Sequence, residues 1–555
     1  MDVVDEGRAT TVLAPQPSTL EGEEPSTDDQ AVRAAAGRSP IGRIPAIFDT
    51  RWPPSGLAIF ATVALALVGT GLRFWTHSDM WLDEALTVDI SKLPVSQLHA
   101  ALMRDGAPPL YYFLLHFWMK VFGSSDLGAR SLSGVFSVAT LPFVWNAGKR
   151  LGGRTVAAAV TVLVATSPFA IYYGTEARMY SLVAFLTTAG FVALDGALRR
   201  PTRWNLLATG VCTALLLYTQ YWALYLVAVT GAWLIFQSWR GPRRRRRPAR
   251  AALLAVIGGC VAFIPWVPTF IFQSQHTGTP WAVPANFAAM VNAVSSFAGG
   301  PTNEGRALAL LYFALAGLGL FGLARDRVHI ELDVRGRPAA RGLAIVVVGT
   351  LVLAITGGYV GQSAFSARYA SVIFVPLLLL VALGVATFAD RRIAAVIVAA
   401  SAGFGLFTSI PNISTQRSQA FEVSQVLARA GKPGDVVAYC PDQLGPDAAR
   451  LLPADEYKQI TFPRGTGPQF VNWINYAQVV GSASPQTFAH RLEQMSEPDH
   501  HIWYVWAPGY QTYAGKCEQI ESALLHDTKL GGDEIFGLGP YYEPEELVEF
   551  AHRSG

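Results

Sequence analysis

The sequence predicts an α-helical protein that crosses a membrane many times and ends in a small α/β domain outside the bilayer. Of its 555 residues, 51% are hydrophobic and 15% are charged, whereas soluble proteins average about 25% charged residues. The mean hydropathy is +0.30. After about Pro411 the composition turns polar. These values exclude a fully disordered chain, a collagen-like chain and a small disulfide scaffold.

Residues 1–50 are rich in Ser, Thr, Pro, Asp and Glu and lack apolar periodicity, so we expect a disordered tail. The tail is acidic and has no apolar core segment of the kind that signal peptides carry. The first apolar run, about Gly56 to Arg73, is therefore expected to stay in the protein as a membrane span.

Residues 51–410 are predicted to form the membrane domain. A helix needs about 20 apolar residues to cross the hydrocarbon layer, and eleven runs of this kind are present. Their centres lie near residues 65, 140, 163, 188, 211, 231, 261, 315, 351, 379 and 401.

The basic residues predict the orientation, because Lys and Arg are retained on the cytoplasmic side. With the N-terminus inside, the inward loops hold twenty basic residues and the outward loops hold seven. We expect a multi-pass protein of the plasma (inner) membrane, with a cytoplasmic N-terminus. The run Arg243–Arg247 is interpreted as a topology anchor that contacts membrane lipids rather than nucleic acid, since the net charge is only +3.

Two outward segments are long. The first, residues 75–130, contains the apolar stretch Leu110–Phe122, which is too short to span and is predicted to lie as a helix on the outer surface. The second, residues 273–305, is rich in Pro, Gly, Asn and Ser and is predicted to be an extracytoplasmic flap.

Residues 411–555 are predicted to form the soluble extracytoplasmic α/β domain, because strand and helix patterns alternate there. The predicted strands and helices are Val436–Tyr439, Ala448–Leu452, Phe488–Met495, His501–Trp506 and Glu518–Leu525. Cys440 and Cys517 both fall in this domain. An oxidising exterior permits a disulfide between them, and two buried free thiols remain the alternative.

Three carboxylates, Asp79, Asp83 and Glu84, follow the first span directly. Neighbouring carboxylates raise each other's pKa, which suits one of them to proton transfer near neutral pH. The alternative is that they only stabilise a helix start, where acidic side chains are favourable.

Two arginines, Arg178 and Arg368, lie where outward segments meet spans. Guanidinium binds phosphate through paired hydrogen bonds, so a phosphate-containing lipid is the expected ligand. The alternative is an arginine that reaches the headgroup layer. Aromatic residues at the same depth could form an interfacial belt or a sugar-stacking wall: Tyr172, Tyr173, Tyr180, Tyr218, Tyr221, Trp222 and Tyr369.

Five short motifs carry a family resemblance over about residues 56–410. They are Trp-Leu-Asp-Glu-Ala (81–85), Ala-Pro-Pro-Leu-Tyr-Tyr (107–112), Glu-Ala-Arg-Met-Tyr (176–180), Leu-Tyr-Thr-Gln-Tyr (217–221) and Ala-Arg-Tyr (367–369). In this order the chain resembles the GT-C fold. It is most similar to the protein O-mannosyltransferase-like branch, which includes the lipid A aminoarabinose transferase, and it looks like an actinobacterial cell-envelope member.

The resemblance implies a polyprenyl-phosphate sugar donor and inversion at the anomeric carbon. Asp83 would then be the catalytic base, and Glu84 would assist it or bind substrate. Arg178 and Arg368 would hold the donor phosphate. The residues implied to bind substrate are Tyr111, Tyr173, Tyr180, Gln220, Tyr221 and Tyr369.

The chain departs from the family at two motifs. The family often has His-Pro-Pro where this chain has Ala107-Pro-Pro, and Tyr-Thr-His where it has Tyr-Thr-Gln220. Both changes remove an imidazole. No cofactor is therefore expected to be obligatory, and a divalent metal is conceivable but not supported.

The expected function is transfer of a sugar, mannose before others, to an envelope glycolipid, polysaccharide or protein on the outer face of the plasma membrane. Decaprenyl-phosphate arabinose is the alternative donor. A lipid or sugar transporter would need charged residues at the bilayer midplane and an internal repeat, which the sequence lacks. An inactive scaffold for envelope assembly is the remaining alternative. The soluble domain is expected to recognise the acceptor.

Overall fold

The computed structural model describes residues 56–278, 286–361, 365–453, 455–535 and 541–552. The predicted cytoplasmic tail, residues 1–50, lies outside the described residues, and so do residues 279–285 of the predicted flap. The described remainder of that predicted flap contains the end of the helix Val267–His276 and all of the helix Phe287–Phe297.

Most of the described chain is helical. The helices are α1 (Gly56–Gly71), α2 (Leu82–Lys92), α3 (Val95–Asp105), α4 (Leu110–Phe122), α5 (Asp126–Ala165), α6 (Pro168–Gly174), α7 (Tyr180–Arg199), α8 (Arg203–Leu217), α9 (Ala223–Arg240), α10 (Arg243–Phe263), α11 (Val267–His276), α12 (Phe287–Phe297), α13 (Asn303–Phe321), α14 (Pro338–Val360), α15 (Ser371–Val385), α16 (Arg391–Ser414), α17 (Ala420–Ala430), α18 (Gly445–Leu451), α19 (Tyr476–Ser482), α20 (Pro485–Met495) and α21 (Lys516–Asp527).

All eleven predicted apolar runs lie in these helices, but only seven helices of the described chain are long and apolar enough to cross a membrane. Two runs share α5, which is broken where Gly152 and Gly153 leave helical geometry, Gly153 with a φ of +79°. The runs near 65, 211 and 231 fall in α1, α8 and α9, which are shorter or less apolar than the other seven.

Helix α15 lies at the centre of the membrane domain, because all fifteen of its residues are buried. It packs backbone to backbone on α13. A Cβ placed on Gly384 would lie 1.8 Å from the Leu315 carbonyl oxygen, and one on Gly319 would lie 2.1 Å from the Leu380 carbonyl oxygen. Only glycine permits this approach. A 3₁₀ turn, Ala367–Ala370, leads directly into α15 and carries Arg368.

Helix α4 begins and ends at the residues predicted for the surface helix. Tyr112 and Leu115 on one side are buried, whereas Phe117, Val121 and Phe122 on the other side are exposed. This two-sided character is typical of a helix that rests on a membrane surface.

The C-terminal domain is built on a five-stranded sheet of order β4-β3-β5-β7-β6. The strands are β3 (Val436–Cys440), β4 (Lys458–Thr461), β5 (Ile502–Trp506), β6 (Thr528–Ile535) and β7 (Glu546–His552); a separate hairpin in the membrane domain contains β1 (Gly322–Ala324) and β2 (Ile330–Leu332). Strands β4, β3 and β5 run parallel to one another. Strand β7 runs antiparallel to both of its neighbours, β5 and β6.

The predicted strands β3 and β5 and the predicted helices α18, α20 and α21 are present in this domain. The end of β3 is joined to α21 by a disulfide between Cys440 and Cys517, with their Cα atoms 5.6 Å apart. The structure therefore has the bonded form of this pair.

Candidate active site at the start of helix α2

Helix α2 begins immediately after Trp81 and places Asp83 and Glu84 in its first turn. Acidic side chains are stabilised there by the partial positive charge of the helix N-terminus. Trp81 cannot cap the helix with its side chain, and the backbone N–H of Leu82 instead donates to Glu543 Oε2 at 3.0 Å. The carboxylate pair therefore lies at a helix start, next to the C-terminal domain.

Asp83 lies between the two arginines that the sequence singled out. Its Oδ2 is 2.5 Å from Arg368 Nη1 and 3.7 Å from Arg178 Nη2. Burial alone would raise the pKa of Asp83, but the two guanidinium groups outweigh it and hold this pKa below its ordinary value. The expectation that adjacent carboxylates raise the pKa of this pair is wrong, because each carboxylate faces arginines.

Both arginines have an N–H donor that finds no acceptor among the described residues. Arg178 Nη1 donates to Thr87 Oγ1 at 2.8 Å and to the Asp83 carbonyl at 3.3 Å. Arg368 lies 5.6 Å from the ring centroid of Trp81. The Nε atoms of Arg178 and Arg368 are buried and find no acceptor among the described residues. Buried unmet donors are costly, so an anion at this position would complete the site.

Glu84 is fully buried and held on all sides. Arg130 donates to both of its oxygens, at 2.7 and 2.6 Å, and Arg417 Nη1 donates to Oε2 at 3.2 Å. The backbone N–H of Ala177 adds a bond of 2.8 Å. These donors outweigh burial, the largest single effect, and lower the pKa of Glu84. Glu84 ties three segments of the chain together beside Asp83.

Glu176 is the opposite case. It has no exposed surface, and neither of its oxygens has a hydrogen-bond partner among the described residues. Burial raises its pKa to about 8; Arg417 and Arg368 oppose the rise, whereas Glu84 and Asp83 add to it. A neutral carboxylic acid therefore lies close to the two ionised carboxylates and can donate a hydrogen bond.

The predicted tyrosines line the site unequally. The rings of Tyr173 and Tyr180 meet edge to face at 4.7 Å, and the buried Tyr180 hydroxyl has no partner among the described residues. Tyr369 stacks on Trp222, with 10° between the ring planes. A small cavity of about 10 Å³, room for at most one water molecule, is bordered by Tyr173 and Tyr180.

The other predicted substrate residues make hydrogen bonds within the protein. Tyr111 shares a hydrogen bond of 2.7 Å with Ser133. Gln220 Oε1 accepts from Ser371 at 3.2 Å, whereas the buried Gln220 Nε2 has no partner among the described residues. Tyr221 donates to Gln273 and accepts from Trp266 Nε1. For Asp79, the backbone makes the contacts: its N–H donates to Gln416 and its carbonyl accepts from Arg130.

Sequence reasoning missed five residues that shape the site: Arg130, Glu176, Arg417, Tyr542 and Glu543. Glu176 was within reach, because it belongs to the same motif as Arg178. Arg130 was counted only as an outward charge. Arg417 and the pair Tyr542–Glu543 carry no local signal, since their partners lie hundreds of positions away. Within the described part of the chain, no group of three or more His, Cys, Asp or Glu residues could hold a metal ion.

Residues 106–268 match the family model of the dolichyl-phosphate-mannose-protein mannosyltransferases. No curated protein matches the sequence. The structure is similar to ArnT from Cupriavidus metallidurans in the apo state, with a TM-score of 0.57 and 13% identity over 88% of this chain and 97% of that chain.

Two further solved structures are similar to this chain. ArnT from the same organism bound to undecaprenyl phosphate gives a TM-score of 0.53 and 12% identity, over 89% of this chain and 98% of that one. The Archaeoglobus fulgidus oligosaccharyltransferase in complex with Zn and sulfate gives 0.51 and 12%, over 89% and 73%. The chain therefore has the GT-C glycosyltransferase fold, and seven helices of its described part are long and apolar enough to cross a membrane. This confirms the resemblance to the GT-C fold drawn from its five motifs.

Proposed function

We propose that the protein is an inverting glycosyltransferase that uses a polyprenyl-phosphate sugar as donor. The observation that carries the proposal is Asp83 between Arg178 and Arg368, two largely buried arginines whose Nε donors are unused among the described residues. Transfer from a glycosyl phosphate requires a base beside positive charge that can bind the leaving phosphate. The similarity to ArnT, solved with undecaprenyl phosphate, supports the same donor class.

The ion pairs of Asp83 suggest an order of events. When the donor phosphate binds, its oxygens replace the Asp83 carboxylate on Arg178 and Arg368, because a phosphate can accept from both at once. Asp83 is then released from its counter-ions and becomes a stronger base. Donor binding therefore activates the base.

In the transfer step, the acceptor hydroxyl gives its proton to Asp83 and its oxygen bonds to the anomeric carbon. The bond from that carbon to the phosphate oxygen breaks on the opposite face, and the electron pair leaves with the phosphate. Arg178 and Arg368 stabilise the charge that develops there, and they act strongly because both side chains are largely removed from water.

Two other carboxyl groups have supporting roles in this scheme. Glu84, bound by Arg130 and Arg417, keeps the first turn of α2 in place. Glu176, neutral at pH 7, donates a hydrogen bond to an oxygen of the bound donor. In this scheme Tyr173, Tyr180 and Tyr369 contact the donor. Tyr111, Gln220 and Tyr221 hydrogen-bond to other residues of the protein and stabilise the surrounding structure.

Mannose is the sugar we propose first, because residues 106–268 match a mannosyltransferase family. Arabinose from decaprenyl phosphate is the second candidate. The proposed acceptor is a cell-envelope glycan, glycolipid or protein, so that the enzyme serves cell-wall biogenesis at the outer face of the plasma membrane.

The proposed topology keeps residues 1–50 in the cytoplasm, residues 51–410 in the membrane domain and residues 411–555 outside. Helix α16 runs to Ser414, slightly past the predicted domain boundary. A cysteine placed at Arg245 should resist an impermeant thiol reagent added outside, and one placed at Met290 should react. The reverse pattern would overturn the orientation.

The function is tested by incubating membranes that contain the protein with labelled polyprenyl-phosphate mannose or arabinose and envelope acceptors. Asp83→Asn should abolish transfer, and Arg368→Ala should lower it strongly. Asp89→Asn is the matched control, because Asp89 lies on the same helix but pairs with Lys92 and Arg450. Undiminished transfer by Asp83→Asn would reject the base. No transfer by the wild type from either donor would favour a transporter or an inactive scaffold.

A further inference from the structure

The helix that carries the proposed base is capped from the far end of the chain. The first turn of any α-helix leaves backbone N–H groups without intrahelical acceptors. In α2 the residue at the capping position is Trp81, whose side chain accepts no hydrogen bond from the helix. Glu543 Oε2 accepts from the Leu82 N–H at 3.0 Å, across 461 positions of sequence.

Glu543 is held in place by the segment that links the two domains. Its N–H donates to the Arg417 carbonyl at 2.9 Å, and its own carbonyl accepts from the Gln419 N–H at 3.1 Å. Arg417 in turn binds Glu84 through its side chain. The linker and the C-terminal segment thus meet on the first turn of α2 from two directions.

The residue before Glu543 adds a second contact to the same turn. The rings of Tyr542 and Trp81 meet at 4.8 Å with 81° between their planes. Tyr542 is otherwise 63% exposed. Together, Tyr542 and Glu543 fix both the residue before α2 and its first N–H group.

Glu543 is itself oriented by a cluster of buried carboxyl groups. The Ser418 hydroxyl donates to Asp447 and Glu545, at 2.5 and 3.1 Å, and Asp447 shares a hydrogen bond with Glu543. All four side chains are buried. The capping carboxyl therefore has a fixed direction.

We propose that Glu543 is a positioning residue for Asp83: by capping α2, it holds the base between Arg178 and Arg368. This inference rests on the proposed function, since it assigns Glu543 a role only if Asp83 is the base. It makes the C-terminal domain a working part of the site. Without the cap the first turn frays, and Asp83 lies in that turn.

The test compares Glu543→Ala with Glu543→Gln in the full-length protein in lipid nanodiscs. Gln keeps a side-chain oxygen for the Leu82 N–H and an amide donor for Asp447, so it should retain most of the activity. Ala should lower kcat at least tenfold with little change in KM, because the donor contacts are intact. Glu546→Ala is the control, since Glu546 lies three residues along and pairs with Trp506 in the sheet.

A second readout does not depend on transfer. Amide hydrogen exchange in the peptide that contains residues 80–88 should be faster in Glu543→Ala than in the wild type, in Glu543→Gln and in Glu546→Ala. Unchanged exchange, or equal loss of kcat in the Ala and Gln variants, would overturn the inference. If the wild type transfers no sugar, the proposed function fails, and the exchange comparison still decides whether Glu543 caps α2.

Discussion

Asp83 and Arg368 form a partly buried ion pair across 285 positions of sequence, with Oδ2 and Nη1 2.5 Å apart. The Asp83 carboxylate thus occupies the place that we assign to the donor phosphate. The two proposed functional groups therefore depend on each other. The Asp83 carboxylate stays paired with Arg368 until a phosphate binds the arginine in its place.

Replacing either arginine by lysine should weaken the binding of the phosphate. Arg178→Lys and Arg368→Lys keep the charge but lose the paired donors, so we expect affinity for polyprenyl phosphate to fall about 10-fold or more, the loss of one good charge-assisted hydrogen bond. Calorimetry in detergent with polyprenyl phosphate measures it. Arg306→Lys, at an exposed position of helix α13, is the control. Equal affinity in all three variants would contradict the phosphate site.

The pH dependence of kcat/KM should reveal the arginines around Asp83. Because they hold the pKa of Asp83 below its ordinary value of 3.8, Asp83 is ionised throughout the working range and kcat/KM should show no acid limb from Asp83 near neutral pH. In Arg368→Gln one counter-charge is lost, the pKa of Asp83 rises and the acid limb should move to higher pH. An acid limb that stays in place in this variant would argue against Asp83 as the base.

Glu176 should set the alkaline limb. Its pKa of about 8 keeps it protonated at pH 7, and it loses the proton as the pH rises through that value. If it donates to the bound donor, transfer should fall above about pH 8 in the wild type. Glu176→Gln, which retains a donor at every pH, should remain active and lose that limb, whereas Glu176→Ala should lose activity at every pH. The same alkaline limb in Glu176→Gln would assign it to another group.

Much of the membrane domain could be predicted from sequence, because apolar runs report directly on burial in lipid. Helix α4 begins and ends as its pattern predicts. The site was predictable only where partners share a motif or stand beside the membrane surface, as Asp83, Arg178 and Arg368 do. Contacts such as Leu82 with Glu543 depend on how two domains meet, and no local pattern encodes that. The direction of the Asp83 pKa shift was missed because sequence spacing does not show that Arg368 Nη1 comes within 2.5 Å of the Asp83 carboxylate.

Loss of the disulfide should destabilise the C-terminal domain. The bond closes a loop between positions 77 residues apart, and native disulfides of this kind contribute about 2–5 kcal/mol. Cys440→Ser should therefore lower the unfolding temperature, as should reduction of the wild type. Cys212→Ser, which removes a free thiol, is the control. An unchanged unfolding temperature in Cys440→Ser would contradict the expectation.

The carboxyl cluster should make the C-terminal domain more stable in mild acid. Burial raises the pKa of Asp447 to about 7, although hydrogen bonds with Ser418 and Glu543 oppose the rise. Burial also raises the pKa of Glu545 well above its ordinary value, and repulsion from Asp447 and Glu543 adds to this rise. Groups with raised folded pKa values stabilise fully at low pH, and that stability is lost as the pH rises through them. Burial and the carboxylates of the cluster also raise the pKa values of three tyrosines that face it: Tyr439, Tyr510 and Tyr542.

Thermal unfolding between pH 5 and pH 8 measures this effect. The unfolding temperature of the wild type should fall across the range, and Glu545→Gln, which cannot ionise, should reduce the fall. The control Glu497→Gln, at an exposed position, should leave the change of unfolding temperature with pH as it is in the wild type. A steeper fall in Glu545→Gln would mean that the cluster prefers the ionised form.

The complete burial of α15 also restricts how a lipid can reach the site. Its span is 89% enclosed by the rest of the protein, so no hydrocarbon chain can lie along the helix that carries Arg368 at its start. The isoprenoid tail of the proposed donor must therefore lie against the outer helices, while the donor's phosphate headgroup reaches inward to Arg368. The outer helices would then lie between the lipid tail and the reacting sugar carbon. The sugar could therefore react at a site that the tail does not enter.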